Sequence, residues 1–235
     1  IEGATVDLQT AVQDADLVIL ATPVGVMPLL VSLLELSRDF LVTDVVSVKR
    51  VVHQELEPLF EGQQASFIGS HPMAGSEKAS VAEAKSNLFN NAKCIITPSM
   101  CTSPTAIQVV KDLWEFIGGY TIVLSPTDHD YLVAGASHLP HLIASILTQT
   151  TQSVQTESLS ALELAATGFR DTTRIAAGSP EIWRDIFLQN SEFLIPIVKS
   201  TIQTLEQLST LLTNKDSTKI EEFLAQAKEI RDTLK

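Results

Sequence analysis

Apolar residues are distributed differently on the two sides of residue 125. Before it they come in short continuous runs: LVILA from Leu17, FLVTDVVSV over 40–48, SFI ahead of GSHP, KCIIT over 93–97 and YTIVL over 120–124. Runs of this length, closed by Pro, Gly or Asp, predict strands buried on both faces. Residues 4–15 read as a short polar helix or loop. Helices are predicted over 27–36, with Pro28 tolerable in the first turn, and through HQELEPLF. A further helix starts at Ser103-Pro104, cap then first-turn proline, and stops at Gly118-Gly119. Alternating strands and helices argue for a parallel sheet with helices on its faces. Ligands of such sheets bind beyond the carboxyl ends of the strands, where ATP, VSVK and GSHPMAG all fall.

After residue 125 no strand pattern remains. Helices are predicted over 131–150 with a kink at Pro140, over 159–166 closed by Gly168, and from Ser179-Pro180-Glu181 onward. The stretch 192–212 has an apolar face too broad for one-sided burial, suited equally to a helical core and to a subunit interface. An amphipathic helix over 217–234 closes the chain.

The net charge of −12 and pI near 4.8 argue against nucleic acid or an anionic membrane as partner, since no basic stripe is present to release counterions. An anionic substrate would then need a local arginine, and the chain has six, two of them in FRDTTR. No continuous run of about 18 apolar residues and no signal peptide are found, and Cys94 sits in a strand-like run as a core thiol. The expectation is a reducing, cytoplasmic setting without membrane association.

Four groups of residues could carry chemistry. His71 lies between a glycine-serine pair and a proline on what reads as a sharp loop at a strand end, either a base or a satisfied turn residue. Ser47 could contact a ligand or cap the next helix, and Lys49 reads as a solvated charge. His138 and His141 share a helical spacing, but no ligand set for a metal accompanies them. Arg170 and Arg174 flank Asp171, and a guanidinium offers the planar fork that fits a carboxylate. The Asp128-His129-Asp130 cluster reads as a helix start with acid near its positive end.

DLVILATPV, TDVVSVK, GSHPMAGSE, DHDYLVAGASHLPH and GFRDTTRIA, in that order, resemble the prephenate and arogenate dehydrogenases of tyrosine biosynthesis. The resemblance implies an α/β Rossmann-type parallel-sheet domain over 1–124 that binds NAD or NADP, and an all-α substrate and dimerisation domain over 125–235. It implies oxidative decarboxylation of prephenate to 4-hydroxyphenylpyruvate, or of arogenate to tyrosine, by a homodimer. His71 would be the catalytic base and Ser47 would hold the substrate hydroxyl in register. Arg174 would bind a substrate carboxylate, with His141, Glu77, Asp171 and Trp183 shaping the pocket. Thr22, Pro23, Val24 and Ser47 would pack along the cofactor. The family's glycine loop, G-x-G-x-x-G, has no counterpart among the ten glycines, and the first strands of the sheet are missing with it. That lead-in would occupy about forty to fifty residues ahead of Ile1 and carry the group that distinguishes NAD from NADP. A fragment that keeps the dimerisation domain but holds cofactor poorly is the alternative.

Overall fold

The computed structural model describes residues 3–75, 84–100 and 102–234. Five strands, β1 (Leu17–Leu20), β2 (Leu41–Asp44), β3 (Ser66–Pro72), β4 (Lys93–Thr97) and β5 (Tyr120–Val123), form one sheet in sequential order. β1, β2 and β3 are parallel, so the segments following β1 and β2 and the last residues of β3 meet at one edge, as expected. β4 runs against β3, with Gly69 opposite Thr97 and Pro72 opposite Cys94, and β5 is parallel to β4. The alternation of strands and helices does not encode this reversal. The described parts of the β3–β4 connection hold turns rather than the crossover helix that a parallel neighbour requires.

Successive residues of a strand face opposite sides, and β3 uses both. Phe67 joins Leu20, Met27, Val31, Val42, Val52 and Leu56 under α2 (Met27–Ser32) and α3 (Arg50–Phe60). Ile68 joins Cys94, Ile96, Val110 and Trp114 under α4 (Pro104–Phe116), which Ser103 caps by accepting from Ala106 N at 3.1 Å. Each such fully buried side chain contributes about 1.5–3 kcal/mol. A short helix, α1 (Leu8–Val12), precedes the sheet. β2 ends at Asp44, short of the predicted 48. The Asp44 carboxylate accepts from Val46 N at 3.1 Å and Ser70 N at 3.2 Å, turning the chain away from the sheet toward α3.

The second half is helical: α5 (Pro126–Val133), α6 (Leu139–Gln152), α7 (Thr167–Thr173), α8 (Pro180–Gln189), α9 (Ser191–Thr213) and α10 (Ser217–Asp232). Between α5 and α6 a π-helical turn spans Ala134–His138, and Leu139 N donates to Ala134 O, five residues back. Pro140 explains the widened turn, because its ring crowds the carbonyl four residues earlier and it has no N–H to give. The helix predicted over 159–166 is instead a 3-10 turn, Ala161–Leu164, closed by a reciprocal cap between Ser160 and Glu163. Gly168 lies inside α7 rather than ending a helix.

The stretch Pro126–Gln152 has the length and the mean hydropathy, 1.2 over 18 residues, to cross a bilayer. In the fold it packs against α3 and α9 and buries His129, Asp130, His138 and His141. The apolar face of α9 is largely uncovered in the single chain: Leu194 is buried, while Ile195, Ile202, Leu205 and Leu212 are exposed.

Candidate active site

His71 is a strand residue. It sits one place before the end of β3, pairs in register with Ile95, and is 7% exposed, so the sharp exposed loop expected from its neighbours is not what holds it. Gly69 serves close packing instead of a turn: a Cβ there would lie 2.3 Å from Thr97 Oγ1 and 2.6 Å from His53 Nε2. Ser70 is anchored through its hydroxyl, which donates to Asp44 O at 2.6 Å. The imidazole is therefore fixed by a strand clamped on both sides.

His71 Nδ1 lies 2.8 Å from His129 Nε2, and His129 Nδ1 lies 2.7 Å from Asp130 Oδ1. The same carboxylate accepts from Lys49 N at 2.8 Å and Arg50 N at 2.9 Å, the amides that open α3. The expectation that Asp128, His129 and Asp130 simply start a helix holds for Asp128, which exchanges hydrogen bonds with the capping Ser125. His129 and Asp130 point inward instead. Burial holds His71 well below the ordinary histidine value, reinforced by His129, Lys49 and His138. Burial also lowers His129, against the opposing effect of the hydrogen bond that its ring donates to Asp130. For Asp130 burial alone would act upward, but hydrogen bonds from His129 and the Arg50 and Lys49 amides outweigh it and keep the carboxyl below its usual range. The result is two neutral rings and one carboxylate.

Lys49 is not solvated. It is wholly buried, paired with Asp44, and donates from Nζ to Ser70 O at 2.7 Å, immediately before His71. Its charge favours the neutral form of His71.

Beyond His129 the network continues along α5 and the π turn. Asn190, at the end of α8, donates from Nδ2 to Asp130 O at 2.8 Å and to His138 Nδ1 at 3.0 Å. Neutral His138 must then carry its proton on Nε2, a buried atom without a hydrogen-bond partner among the described residues. Burial lowers His138 to about 4 and also lowers His141. His141 stacks on Trp183 with ring centroids 3.6 Å apart and 17° between planes. Arg174 opens the 3-10 turn Arg174–Ala177, which packs on α6, the helix of His141. Arg174 and Asp171 are exposed in the single chain, and Glu77 lies outside the described residues.

Thr22, Pro23, Val24 and Ser47 line one open cleft of about 440 Å³, between the segments that follow β1 and β2 on one side and α8 on the other. Its walls include Val46 and Ile182, and Thr22 Oγ1 is buried without a partner among the described residues. A buried hydroxyl lacking a partner, beside an apolar wall at the carboxyl edge of a parallel sheet, fits a ligand with a flat apolar ring and an amide. α8 joins the cleft to the histidine network: Ile186 lies in the core beside Val24 and Val48, and Asn190 ends the helix against His138.

His129, Asp130, Asn190 and Lys49 carry this network and none was singled out as functional from sequence. One signal was available for the first two. Positions 129, 130, 133, 134, 138 and 141 form a single buried helical stripe, so polar residues occupy positions that the period assigns to core.

The profile described as "Prephenate dehydrogenase, nucleotide-binding domain" matches residues 2–123, and "Prephenate dehydrogenase, dimerization domain" matches 125–226. The chain is 36% identical to the prephenate dehydrogenase of Bacillus subtilis over 96% of its own length and 61% of the relative's. It is 33% identical to the cyclohexadienyl dehydrogenase of Zymomonas mobilis, covering all of this chain and 80% of that one. This chain thus spans about three fifths of the Bacillus subtilis relative. Among solved structures, Aquifex aeolicus prephenate dehydrogenase in complex with hydroxyphenyl propionate and NAD+ superposes with a TM-score of 0.87 at 32% identity, over 98% of this chain and 81% of that one. Synechocystis arogenate dehydrogenase gives 0.79 at 32%, over 96% and 81%. With a profile covering each half and relatives above 30% identity along nearly its whole length, the chain belongs to the prephenate dehydrogenase family.

Proposed function

We propose that this chain carries out the oxidative decarboxylation of prephenate to 4-hydroxyphenylpyruvate, with residues 1–124 binding NAD or NADP and 125–235 forming the substrate side and the dimer contact. The observation that carries the reading is the buried, neutral His71 at the edge of the sheet that also holds the cleft of Thr22 and Ser47. NAD or NADP, when bound, supplies the hydride acceptor.

His71 takes the proton of the C4 hydroxyl as hydride leaves C4. The bond from the ring to its carboxylate then breaks, carbon dioxide departs with the electron pair left in the ring, and the oxygen regains a proton as a phenol. A neutral imidazole suits that transfer, and a fixed strand contributes by orientation. Ser47 would position the hydroxyl. Arg174 would anchor a substrate carboxylate, while His141, Asp171, Glu77 and Trp183 would bound the side chain. The exposed apolar face of α9 supports a homodimer, in keeping with the dimerization-domain match over 125–226. A cytoplasmic setting accords with the free buried thiol of Cys94.

Arogenate is the second reading, favoured by the similarity to the Synechocystis arogenate dehydrogenase. Offering the protein prephenate and arogenate, each with NAD+ and NADP+, and following reduced nicotinamide with product release decides between them. Turnover of neither substrate, with turnover of a simple β-hydroxy acid, would overturn the reading.

A further inference from the structure

The protonation pattern of the buried network follows from its acceptors. Asp130 accepts three hydrogen bonds, from two amides and a ring nitrogen, and is a carboxylate with no proton to give. The proton between it and His129 must therefore sit on His129 Nδ1. A neutral ring carries one N–H, so His129 Nε2 has a lone pair. The proton between the two rings, at 2.8 Å, must then sit on His71 Nδ1. By elimination the lone pair of His71 is on Nε2, the one ring nitrogen of the pair with no partner among the described residues.

We propose that His129 and Asp130 are positioning residues of the active site: the carboxylate fixes the tautomer of His129, which fixes the tautomer of His71 and leaves Nε2 as its basic atom. This deepens the proposed function by naming what makes His71 a base. When Nε2 takes the hydroxyl proton, His71 becomes an imidazolium whose Nδ1–H is still accepted by His129, and the new charge is faced by Asp130 through two short hydrogen bonds. No proton needs to leave the network in that step.

The same carboxylate caps α3, and α3 follows the 45–49 loop that carries Ser47. Asp130 comes from α5, beyond the sheet. One side chain thus ties the orientation of His71 to the position of the loop that lines the cleft.

Long-range proton–nitrogen NMR of ring-15N-histidine protein reads the tautomer without any substrate, so it stands whatever molecule is oxidised. Five histidines give a short spectrum, and His71→Asn assigns its signal. The expected result is neutral His71 and His129 both protonated on Nδ1. Asp130→Asn, which can present an amide N–H to His129, should move the His71 proton to Nε2 and lower kcat roughly 100-fold or more, with KM within about threefold. Because Asp130 also caps α3, a second pair guards against a folding defect: His129→Gln, which keeps an acceptor for His71, should retain roughly tenfold more activity than His129→Leu. Protonation of His71 on Nε2 in the unaltered protein, or equal activity of the Gln and Leu variants, would overturn the proposal.

Discussion

Lys49 and Asp44 form an ion pair without solvent contact on either side, held against the strand that carries His71 through the Ser70 carbonyl. Two further hydrogen bonds, from Val46 N and Ser70 N, satisfy the carboxylate. Removing one partner leaves an uncompensated buried charge, which typically costs about 3–5 kcal/mol. Lys49→Met should therefore lower stability by about that amount, seen as a shift in the urea midpoint at unchanged slope. A loss below about 1 kcal/mol would show that the pair is dispensable.

Acid should weaken the fold in two stages. His71, His129, His138 and His141 all have folded pKa values below the ordinary 6.5, so below that pH the unfolded chain binds protons that the folded one refuses. Stability is complete above 6.5 and falls as pH drops toward the folded values, about 4 for His138. That single histidine accounts for roughly 3 kcal/mol. Asp130 is also lowered, so its contribution is lost further down, below its ordinary 3.8. Denaturation midpoints between pH 8 and 4 test the first stage; a flat profile contradicts it.

Gly178 faces the aromatic stack. A Cβ at this position would come within 2.7 Å of Trp183 Nε1 and 3.3 Å of His141 Cε1, so Gly178→Ala must displace the stack or the turn. Overpacking of this kind costs about 1–3 kcal/mol. Of the two tryptophans, Trp114 lies under the opposite face of the sheet, so a change in fluorescence in this variant reports on Trp183. Unchanged fluorescence and stability would mean that the stack yields freely.

Thr22 Oγ1 is buried in the cleft without a partner among the described residues. Thr22→Val keeps the shape and removes the hydroxyl. If that hydroxyl bonds the nicotinamide cofactor, affinity should fall by about three- to tenfold with little change in stability. Titration with NAD+ and NADP+ checks this, and equal affinity in the two proteins removes Thr22 from the contact.

The sheet and most helices were legible because their signals are local. KCIIT is continuous and apolar, and Ser103-Pro104 and Ser179-Pro180 are cap-and-proline starts; the structure places β4, α4 and α8 at these positions. What stayed hidden depends on contacts distant in sequence. Lys49 looks solvated until Ser70, 21 residues on, supplies a carbonyl. Gly69 looks like a turn residue until Thr97 and His53 close over it. His129 finds His71 across 58 residues, and no spacing rule spans that distance. The reversal of β4 has the same origin, since alternation of elements carries no strand direction.

Replacing the imidazole of His71 tests the central claim most directly. His71→Asn keeps a polar side chain of similar reach and removes the base. With prephenate and saturating cofactor, kcat should fall by about 10²–10⁴-fold while KM stays within a few-fold. A kcat within about threefold of the unaltered protein would show that the proton goes elsewhere and that the buried histidine network does not serve the reaction.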